Sequence, residues 1–431
     1  MSSRASDPAG AAAASQGRAA RAPLKPLDEA LAELLATVTP LSPFEQVSTF
    51  DADGRVLRHD VVSALEVPPN DNSAMDGYAV RSAELLQVGG EFTVSQRIPA
   101  GTVGFDLLPG TVARIFTGAT IPGGADAVVP QEECEPLTPP EGQHQGSVRI
   151  NAVPAPGQWI RRQGEDVHHG QVVLAQGHRL GAASLGLAAS IGMSQLQVSA
   201  RPRVALFSTG DELVMPGDVS PEAMRPGAIY NSNRFFLRAL LQRLGCTVTD
   251  YGIVPDQREA TVQALAQAAA DHDVVLTSGG VSVGEEDHIK PAVQALGQLD
   301  LWQIAIKPGK PFAHGKIGAA HFVGLPGNPV SSFVTFLLLV RPLLLKLQGA
   351  TVLAPSSIAM IAHFDWPRPD KRREFLRVRH DAAGGLELFP NQSSGVLTSA
   401  VWSDGLVDNP PGQAIRAGDV VRFIPLSELL A

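Results

Sequence analysis

A glycine-rich turn followed by three consecutive acidic residues is the stretch of this sequence with the clearest chemical character. It reads TSGGVSVGEEDHIK and covers residues 277–290. Gly279 and Gly280 would let backbone N–H groups come close to phosphate oxygens, and the hydroxyl of Ser278 or Ser282 can add further donors. The turn therefore has the character of a phosphate-binding loop. It matches neither GxGxxG nor GxxxxGK[ST], so a dinucleotide fingerprint and a P-loop are both absent.

The acidic side chains at 285–287 admit two interpretations. Carboxylates and substrate phosphates together bind Mg²⁺, and the cation removes the repulsion between acid and phosphate. Alternatively, the three acids only cap and charge the first turn of a helix that begins near Ile289, because negative side chains are favoured at helix N-termini. The sequence alone leaves both interpretations open.

Three further polar loops follow predicted strands, and a loop with two lysines lies nearby in sequence. STGDELV offers Asp211 and Glu212, VPDQRE offers Asp256, and GLPGNPV separates a strand from a helix. In IKPGKP, Lys307 and Lys310 are held between prolines, which makes a stiff cationic loop suited to an oxyanion. A solvated surface loop is the alternative interpretation of the same residues.

Two loops earlier in the chain also carry acids. PPNDNSAMDGYAV places Asp71 and Asp76 among turn-forming residues, where ordinary turn chemistry explains them equally well. GQWIRRQGED adds Asp166 beside two arginines, where a structural ion pair is at least as good an explanation as a functional site.

Alternating strands and helices after residue 202 would position the first set of loops. RVALFSTG, CTVTDYGIV and DVVLTSGG read as buried strands, separated by the amphipathic helices NSNRFFLRALLQRLG and REATVQALAQAAADH. This alternation predicts a parallel, doubly wound α/β sheet, in which ligands bind beyond the carboxyl ends of the strands. Asn328 and Pro329 should then begin a long apolar helix that is kinked at Pro342.

The rest of the chain predicts one short helix and two regions rich in strands. LDEALAELLATV, at 27–38, has the leucine spacing of an amphipathic helix. Residues 65–165 contain brief strand-like stretches between Gly and Pro turns, which is typical of a β-rich module. Residues 355–431 alternate like the strands of a small β-barrel or sandwich.

Composition limits the class of protein. A length of 431 residues exceeds what one core usually supports, so several domains are expected. With 34 basic and 43 acidic residues, the chain has net charge −9, which argues against nucleic acid or an anionic membrane as partner. Cys134 and Cys246 lack the spacing of a disulfide framework or zinc site, which indicates a reducing cytoplasm. The apolar run 333–340 is too short to span a membrane.

Eight strings of the sequence, in order, resemble the molybdopterin molybdotransferase family, which includes the MoeA proteins and the gephyrin E domain. The strings are DNSAMDGYAV, RIFTGATIPGGADAVVPQEE, IRRQGED, ALFSTGDELV, YNSNRFFL, TSGGVSVGEEDH, AIKPGKPFAHG and GLPGNPVSSFVTF. The resemblance covers about residues 25–431 and is weakest in the C-terminal domain.

The resemblance implies an α/β multidomain fold and an elongated homodimer with sites between its subunits. The implied division of the chain is a disordered tail (1–25), a discontinuous elongated scaffold and dimerisation domain (26–64 and 166–201), a β-rich domain (65–165), a central doubly wound α/β domain of molybdopterin-binding type (202–354) and a small C-terminal β-barrel-like domain (355–431).

The resemblance also implies a chemistry. Family members hydrolyse the pyrophosphate of adenylated molybdopterin in a Mg²⁺-dependent step, release AMP and transfer molybdate to the dithiolene. Carried over to this chain, the catalytic residues are Asp76, Asp166, Asp256 and Asp287, and the Mg²⁺ ligands are Glu212 and Asp287. The residues that would bind the pterin, phosphate or molybdate are Thr117, Ser278, Gly279, Gly280, Ser282, Gly284, Lys307, Lys310, Pro326 and Pro329.

One position departs from the pattern of the family. Some relatives have a basic residue where this chain has Gln303, and the neighbouring pair Arg372 and Arg373 is a candidate to replace that charge. The implied partners are a molybdopterin adenylyltransferase and molybdoenzymes in the cytoplasm. The alternative is a binding or scaffold protein of the same fold without turnover, since the gephyrin E domain also anchors partners.

Overall fold

The computed structural model describes residues 24–137, 146–254, 257–280 and 289–430, and the chain forms two compact units. The first unit contains the chain up to Thr39, Arg201–Leu347 and the chain from Leu353, and the second contains Pro40–Ala200 with Gln348–Val352. The α-helices of the described residues, in chain order, are α1 (Leu27–Ala36), α2 (Ala182–Ser190), α3 (Asn233–Arg243), α4 (Arg258–Asp271), α5 (Ile289–Leu296), α6 (Pro329–Thr335), α7 (Arg341–Leu347), α8 (Thr398–Trp402) and α9 (Leu426–Leu430).

Both units contain many short strands. In chain order they are β1 (Phe44–Ser48), β2 (Val61–Val62), β3 (Asn72–Ser73), β4 (Gly77–Val80), β5 (Gly90–Ile98), β6 (Thr111–Ile115), β7 (Ala127–Pro130), β8 (Cys134–Leu137), β9 (Ser147–Ile150), β10 (Ile160–Arg161), β11 (Val172–Leu174), β12 (Gln195–Ser199), β13 (Arg203–Ser208), β14 (Leu213–Val214), β15 (Ile229–Tyr230), β16 (Thr247–Ile253), β17 (Val274–Ser278), β18 (Gly297–Gln303), β19 (Ile306–Lys307), β20 (Pro311–Ile317), β21 (Ala320–Leu325), β22 (Ile358–Ile361), β23 (Arg373–His380), β24 (Leu386–Leu388), β25 (Gly405–Asn409) and β26 (Val420–Pro425).

A six-stranded sheet in the order β16-β13-β17-β21-β20-β18 forms the centre of the first unit. β16, β13, β17 and β21 run parallel, as the alternating pattern predicts. The other two strands join by antiparallel pairing, β20 with β21 and β18 with β20. The prediction of a parallel, doubly wound sheet is thus confirmed for the strands it named. The added edge is antiparallel because a two-residue turn at Gly318 connects β20 to β21 as a hairpin instead of a helix crossover.

Helices cover the sheet and complete the doubly wound α/β architecture. Phe207, Val275 and Phe322 on neighbouring strands share one buried core with Leu265 of α4 and Val293 of α5. α3 lies against β13 and β16, and it also packs on α6. The alternation of buried strands and amphipathic helices after residue 202 is confirmed.

The helix after the last parallel strand contains a π-helical turn just before Pro342, the residue at which a kink was predicted. α6 passes through a π-helical turn, Phe336–Val340, directly into α7, so Pro342 lies inside the helical run. A widened turn accommodates the ring and the missing N–H of proline. Within the described residues, the whole stretch Pro329–Leu347 is long and apolar enough to cross a membrane, yet 83% of it is buried inside the protein. That burial is typical of a core helix.

A second sheet lies in the C-terminal part of the first unit. Its order is β19-β23-β25-β26-β22, with β24 paired to β23. β19, which carries Lys307, lies in sequence between β18 and β20 of the α/β sheet. It pairs in parallel with β23 of this second sheet. Phe364, Val378, Val407 and Phe423 fill the core of this small β domain.

The second unit contains the β-rich module and a scaffold of strand pairs. A six-stranded sheet runs β7-β4-β6-β5-β9-β8, in which only the β5–β6 pair is parallel among the described strands. β1 pairs with β12 and β2 with β11, so two distant parts of the chain share one core. α1, which the sequence analysis grouped with residues 166–201, lies in the first unit, where it contacts α7. The division into four domains stays a prediction.

A buried histidine pair gives the first unit an acid-sensitive element. Nε2 of His314 on β20 lies 3.4 Å from Nδ1 of His321 on β21, and the rings stack with centroids 5.7 Å apart. Burial, helped by nearby positive charge, lowers the pKa of each histidine to about 4. Both rings are therefore neutral in the folded protein at physiological pH.

The free energy of unfolding should fall as the pH drops from 6.5 to 4. Between these pH values histidines of the unfolded chain become protonated, whereas the buried rings stay neutral. By pH 5 this lowers the free energy of unfolding by roughly 2 kcal/mol for each ring. Urea unfolding of the wild type and of His314→Asn/His321→Asn at pH 7 and pH 5 measures this difference. Equal pH dependence of the two proteins would contradict it.

Candidate functional site

Loops from three neighbouring parallel strands meet at one edge of the α/β sheet, beside the start of α3. They enclose a cavity of about 590 Å³. The residues that line it are Thr209, Glu212, Leu213, Ile229, Tyr230, Asn231, Ser232, Asn233, Ser278, Gly279, Gly327, Asn328, Pro329 and Gly395. Parallel strands carry their carboxyl ends to the same edge, which is where ligands of such sheets bind.

Asn233 ties two of these loops together from the first turn of α3. Its side-chain amide donates to the Ser278 hydroxyl at 2.8 Å and to the Gly327 carbonyl at 2.7 Å. The residue is buried, so both bonds lie out of competition with water. Asn233 therefore fixes the end of β17 against the loop that follows β21.

The predicted glycine turn has the backbone that only glycine adopts readily. Gly279 has φ +93° and Gly280 has φ +68°. A Cβ atom at Gly279 would lie 2.8 Å from the Thr209 carbonyl oxygen, and one at Gly280 would lie 2.7 Å from a side-chain carbon of Ile289. Both glycines are required here by backbone conformation and by space.

Glu212 is the one charged side chain among the described residues that line the cavity. Two polar atoms beside it, Thr209 Oγ1 and Asn231 Nδ2, are buried and have no hydrogen-bond partner within the part of the chain that the structure describes. Buried polar atoms are normally paired, so these two are candidates to contact a ligand. The cavity thus combines one carboxylate, a hydroxyl and an amide.

Mg²⁺ fits this set of donors in part. The cation prefers carboxylate and other oxygen ligands and is usually held by one or two carboxylates together with substrate phosphates. Glu212 and the unpartnered hydroxyl of Thr209 supply such oxygens. Within the described ranges no group of three or more His, Cys, Asp or Glu residues could hold a metal ion by itself.

Asp76 and Thr117, two of the site residues implied by the resemblance, are hydrogen-bonded to each other in the second unit. Asp76 Oδ1 accepts the Thr117 N–H at 2.8 Å and the Thr117 hydroxyl at 2.7 Å. The backbone N–H and then the hydroxyl of Thr117 lower the pKa of Asp76 below its usual value. The carboxylate is therefore ionised and held in one orientation.

Asp71 and Asp166, the other two acids named in these loops, have different surroundings. Asp71 accepts the Gln163 N–H at 2.8 Å and pairs with Arg162 at 2.6 Å, so the structural ion pair considered for this loop exists with Asp71. Asp166 is exposed, and its backbone N–H bonds to the Val67 carbonyl.

The two lysines of IKPGKP do not line the cavity. Lys307 Nζ lies 3.1 Å from Glu374 and 3.6 Å from Asp370, both in the C-terminal β domain. Since Glu374 is fully buried, the charge of Lys307 balances that carboxylate. Lys310 lies at the end of the same loop, three residues further on.

The arginine pair suggested as a replacement for Gln303 is already engaged. Arg372 forms a bidentate pair with Asp370, through Nε at 2.9 Å and a terminal nitrogen at 2.8 Å. Arg373 pairs in the same way with Asp408, at 2.6 and 2.7 Å. Neither guanidinium is free to replace the missing charge without breaking an ion pair.

The other predicted site residues divide into two groups. Pro329 begins α6 and lines the cavity, while Pro326 is buried just after β21. The remaining four, Asp256, Ser282, Gly284 and Asp287, lie outside the described residues.

Sequence reasoning missed the asparagines of YNSNRFFL. Asparagine and serine at the start of a helix commonly act as caps, and Asn231 Oδ1 does accept the Arg234 N–H at 3.3 Å. Asn233, however, spans to two other loops instead of capping its own helix. A signal was present, because two asparagines and a serine in one helical turn exceed what one cap needs.

Comparison with protein families identifies three regions in order along the chain. The MoeA N-terminal region (domain I and II) matches residues 25–192, the probable molybdopterin binding domain matches 205–346, and the MoeA C-terminal region (domain IV) matches 359–426. The fold is thus that of a MoeA-type multidomain protein.

Individual relatives agree over nearly the whole chain. The molybdopterin molybdenumtransferase of Haemophilus influenzae is 39% identical over 94% of this chain and 99% of its own length. That of a Nostoc species is 36% identical over 89% of this chain and 88% of its own. The crystal structure of the Pyrococcus horikoshii moeA protein superposes with a TM-score of 0.80 at 30% identity, covering 94% of this chain and 100% of that one. The chain belongs to the MoeA family of molybdopterin molybdenumtransferases.

Proposed function

We propose that this protein is a molybdopterin molybdenumtransferase. Its substrates would be adenylated molybdopterin and molybdate, and it would hydrolyse the pyrophosphate, release AMP and leave molybdenum on the dithiolene. The observation that supports this most is the cavity at the strand ends, where a glycine turn faces Glu212 and two unpartnered polar atoms. The near full-length similarity to relatives that bear this name supports it independently.

The residues of the cavity have separate tasks in this proposal. Ser278 and the Gly279 turn would bind phosphate oxygens through O–H and N–H donors. Glu212, with Asp287, would hold Mg²⁺, whose positive charge stabilises the charge that develops on the phosphate oxygens. Asn233 would keep the two loops at a fixed separation. Cleaving a pyrophosphate requires charge neutralisation and positioning more than a nucleophilic side chain.

Further assignments follow from the same proposal. Asp76, held by Thr117, would orient the pterin or a catalytic water; Asp166 and Asp256 would act with it. Lys307 and Lys310 would attract molybdate, although Lys307 would have to do so while paired with Glu374. The protein would act in the cytoplasm as a homodimer whose subunits share sites, with a molybdopterin adenylyltransferase and molybdoenzymes as partners.

The test is turnover with defined components. Purified protein is incubated with adenylated molybdopterin, molybdate and Mg²⁺, and AMP is measured alongside activation of an apo-molybdoenzyme. We expect both signals, and both should disappear when EDTA is added. If neither AMP nor active enzyme forms, the chain is not this transferase, and a scaffold protein of the same fold becomes the better description.

A further inference from the structure

Two arginines stand side by side on the β-rich sheet of the second unit. Arg97 on β5 and Arg114 on β6 are direct partners in the parallel register, so their side chains share one face of the sheet. Their guanidinium carbons lie 4.5 and 4.7 Å from the ring centroid of Phe116. Arg114 also lies 5.2 Å from the ring centroid of Tyr78, its antiparallel partner on β4.

Within the described residues no ion pair balances the charges of Arg97 and Arg114, although Arg114 is close enough to the Asp76 carboxylate to help lower its pKa. Among the described residues, no carboxylate lies within ion-pair distance of Arg97 or Arg114. In the part of the chain that the structure describes, the acceptors of Arg114 are neutral, the Gly77 carbonyl at 3.1 Å and Gln131 Oε1 at 2.7 Å. Arg149 on the same sheet shows the contrast, because it pairs with both Glu91 and Glu135. In a chain with more acids than bases, two unpaired neighbouring cations are unusual.

The aromatic ring explains how the two cations tolerate each other. The negative face of an aromatic ring attracts a guanidinium, and stacking leaves the N–H edges of the guanidinium open for an acceptor. A ligand with two negative charges would relieve the remaining repulsion, and phosphate matches the forked donors of arginine in geometry. The local charge therefore favours a phosphate-containing anion over a neutral or cationic ligand.

The arginine pair adjoins two residues already assigned a role. Phe116 precedes Thr117 in the chain, and Gly77, whose carbonyl accepts from Arg114, follows Asp76. The Thr117 hydroxyl donates a hydrogen bond to one carboxylate oxygen of Asp76. A ligand that reaches Asp76 would thus come close to both guanidinium groups.

We propose that Arg97, Arg114 and Phe116 form a binding site for a phosphate group of the substrate, separate from the glycine turn at Ser278. This inference rests on the proposed function for the identity of the substrate, adenylated molybdopterin. Its physical basis is a pair of neighbouring arginines that have no ion-pair partner among the described residues, which does not depend on turnover.

Binding of inorganic pyrophosphate in EDTA provides the test, because chelation removes the Mg²⁺ that the cavity at the strand ends needs. In titration calorimetry the affinity should fall about tenfold in Arg97→Gln and in Arg114→Gln, the loss expected for one charge-assisted hydrogen bond. The control Arg149→Gln, on the same sheet but already paired, should bind like the wild type. Thermal unfolding confirms that each variant is folded.

Turnover separates this inference from the function on which it rests. With adenylated molybdopterin, Arg97→Gln should raise KM about tenfold while Arg149→Gln leaves it unchanged. Unchanged pyrophosphate affinity and unchanged KM in both arginine variants would overturn the binding site even if AMP release is normal. Conversely, if pyrophosphate binding depends on Arg97 but the wild type releases no AMP, the transferase assignment fails and the anion site stands.

Discussion

Replacing Glu212 with glutamine should reduce Mg²⁺-dependent AMP release at least about 100-fold. Glutamine keeps the shape of the side chain but removes the one charge that the described cavity residues supply. Losing a group that stabilises developing charge through a metal or directly typically costs this much in turnover. The measurement is AMP formed per minute across a Mg²⁺ titration, and higher Mg²⁺ should restore part of the activity.

A neighbouring acid provides the control for Glu212. Asp211 is exposed on the same turn, but it does not line the cavity. Asp211→Asn should therefore keep near wild-type activity and the same Mg²⁺ dependence. If the two variants lose activity equally, or if Glu212→Gln is as active as the wild type, the assignment of Glu212 is wrong.

Replacing Glu374 with alanine should lower the free energy of unfolding by about 2–4 kcal/mol, because buried donors lose their acceptor and a partly exposed lysine loses its nearest carboxylate. Glu374 has no exposed surface and accepts from Lys307 Nζ at 3.1 Å and Trp366 Nε1 at 2.7 Å. It also accepts the Asp370 N–H at 3.1 Å. Without the carboxylate, these donors and the lysine charge lose their main acceptor.

Urea unfolding of two glutamate variants measures this effect. Glu387 on β24 pairs with Arg379 at the surface, so Glu387→Ala should change stability by no more than about 1 kcal/mol. A loss in Glu374→Ala no larger than in Glu387→Ala would show that the buried carboxylate is not a structural centre of the C-terminal domain. It would also free Lys307 for the role in anion binding that the sequence suggested.

The order of elements in the α/β sheet could be predicted because each strand and helix has its own local pattern. Buried strands such as β13 and β17 are continuous apolar runs, and α3 shows leucines at helical spacing. Strand direction at the edge could not be predicted from apolar runs alone, since β20 and β21 read alike in either direction. The glycine at 318, which has φ +60°, was the available signal for a hairpin.

The residues of the site that follow parallel strands could be predicted from the sequence. Side-chain contacts between residues far apart in the sequence could not. Loops after parallel strands must meet at one edge, so Glu212 and Ser278 could be placed together from sequence. The ion pair of Lys307 could not be predicted, because its partner Glu374 is 67 residues away in the chain and reaches Lys307 only through the pairing of β19 with β23. The contacts of Asn233 with Ser278 and Gly327 could not be predicted either, because they are equally remote in sequence.

The central claim is that the cavity at the strand ends binds a nucleotide phosphate together with Mg²⁺. Titration calorimetry of AMP binding to the full chain, with Mg²⁺ and then with EDTA, tests it most directly. We predict at least tenfold tighter binding with Mg²⁺ in the wild type, and no such gain in Glu212→Gln. AMP affinity that is the same with and without Mg²⁺ in the wild type would contradict the claim.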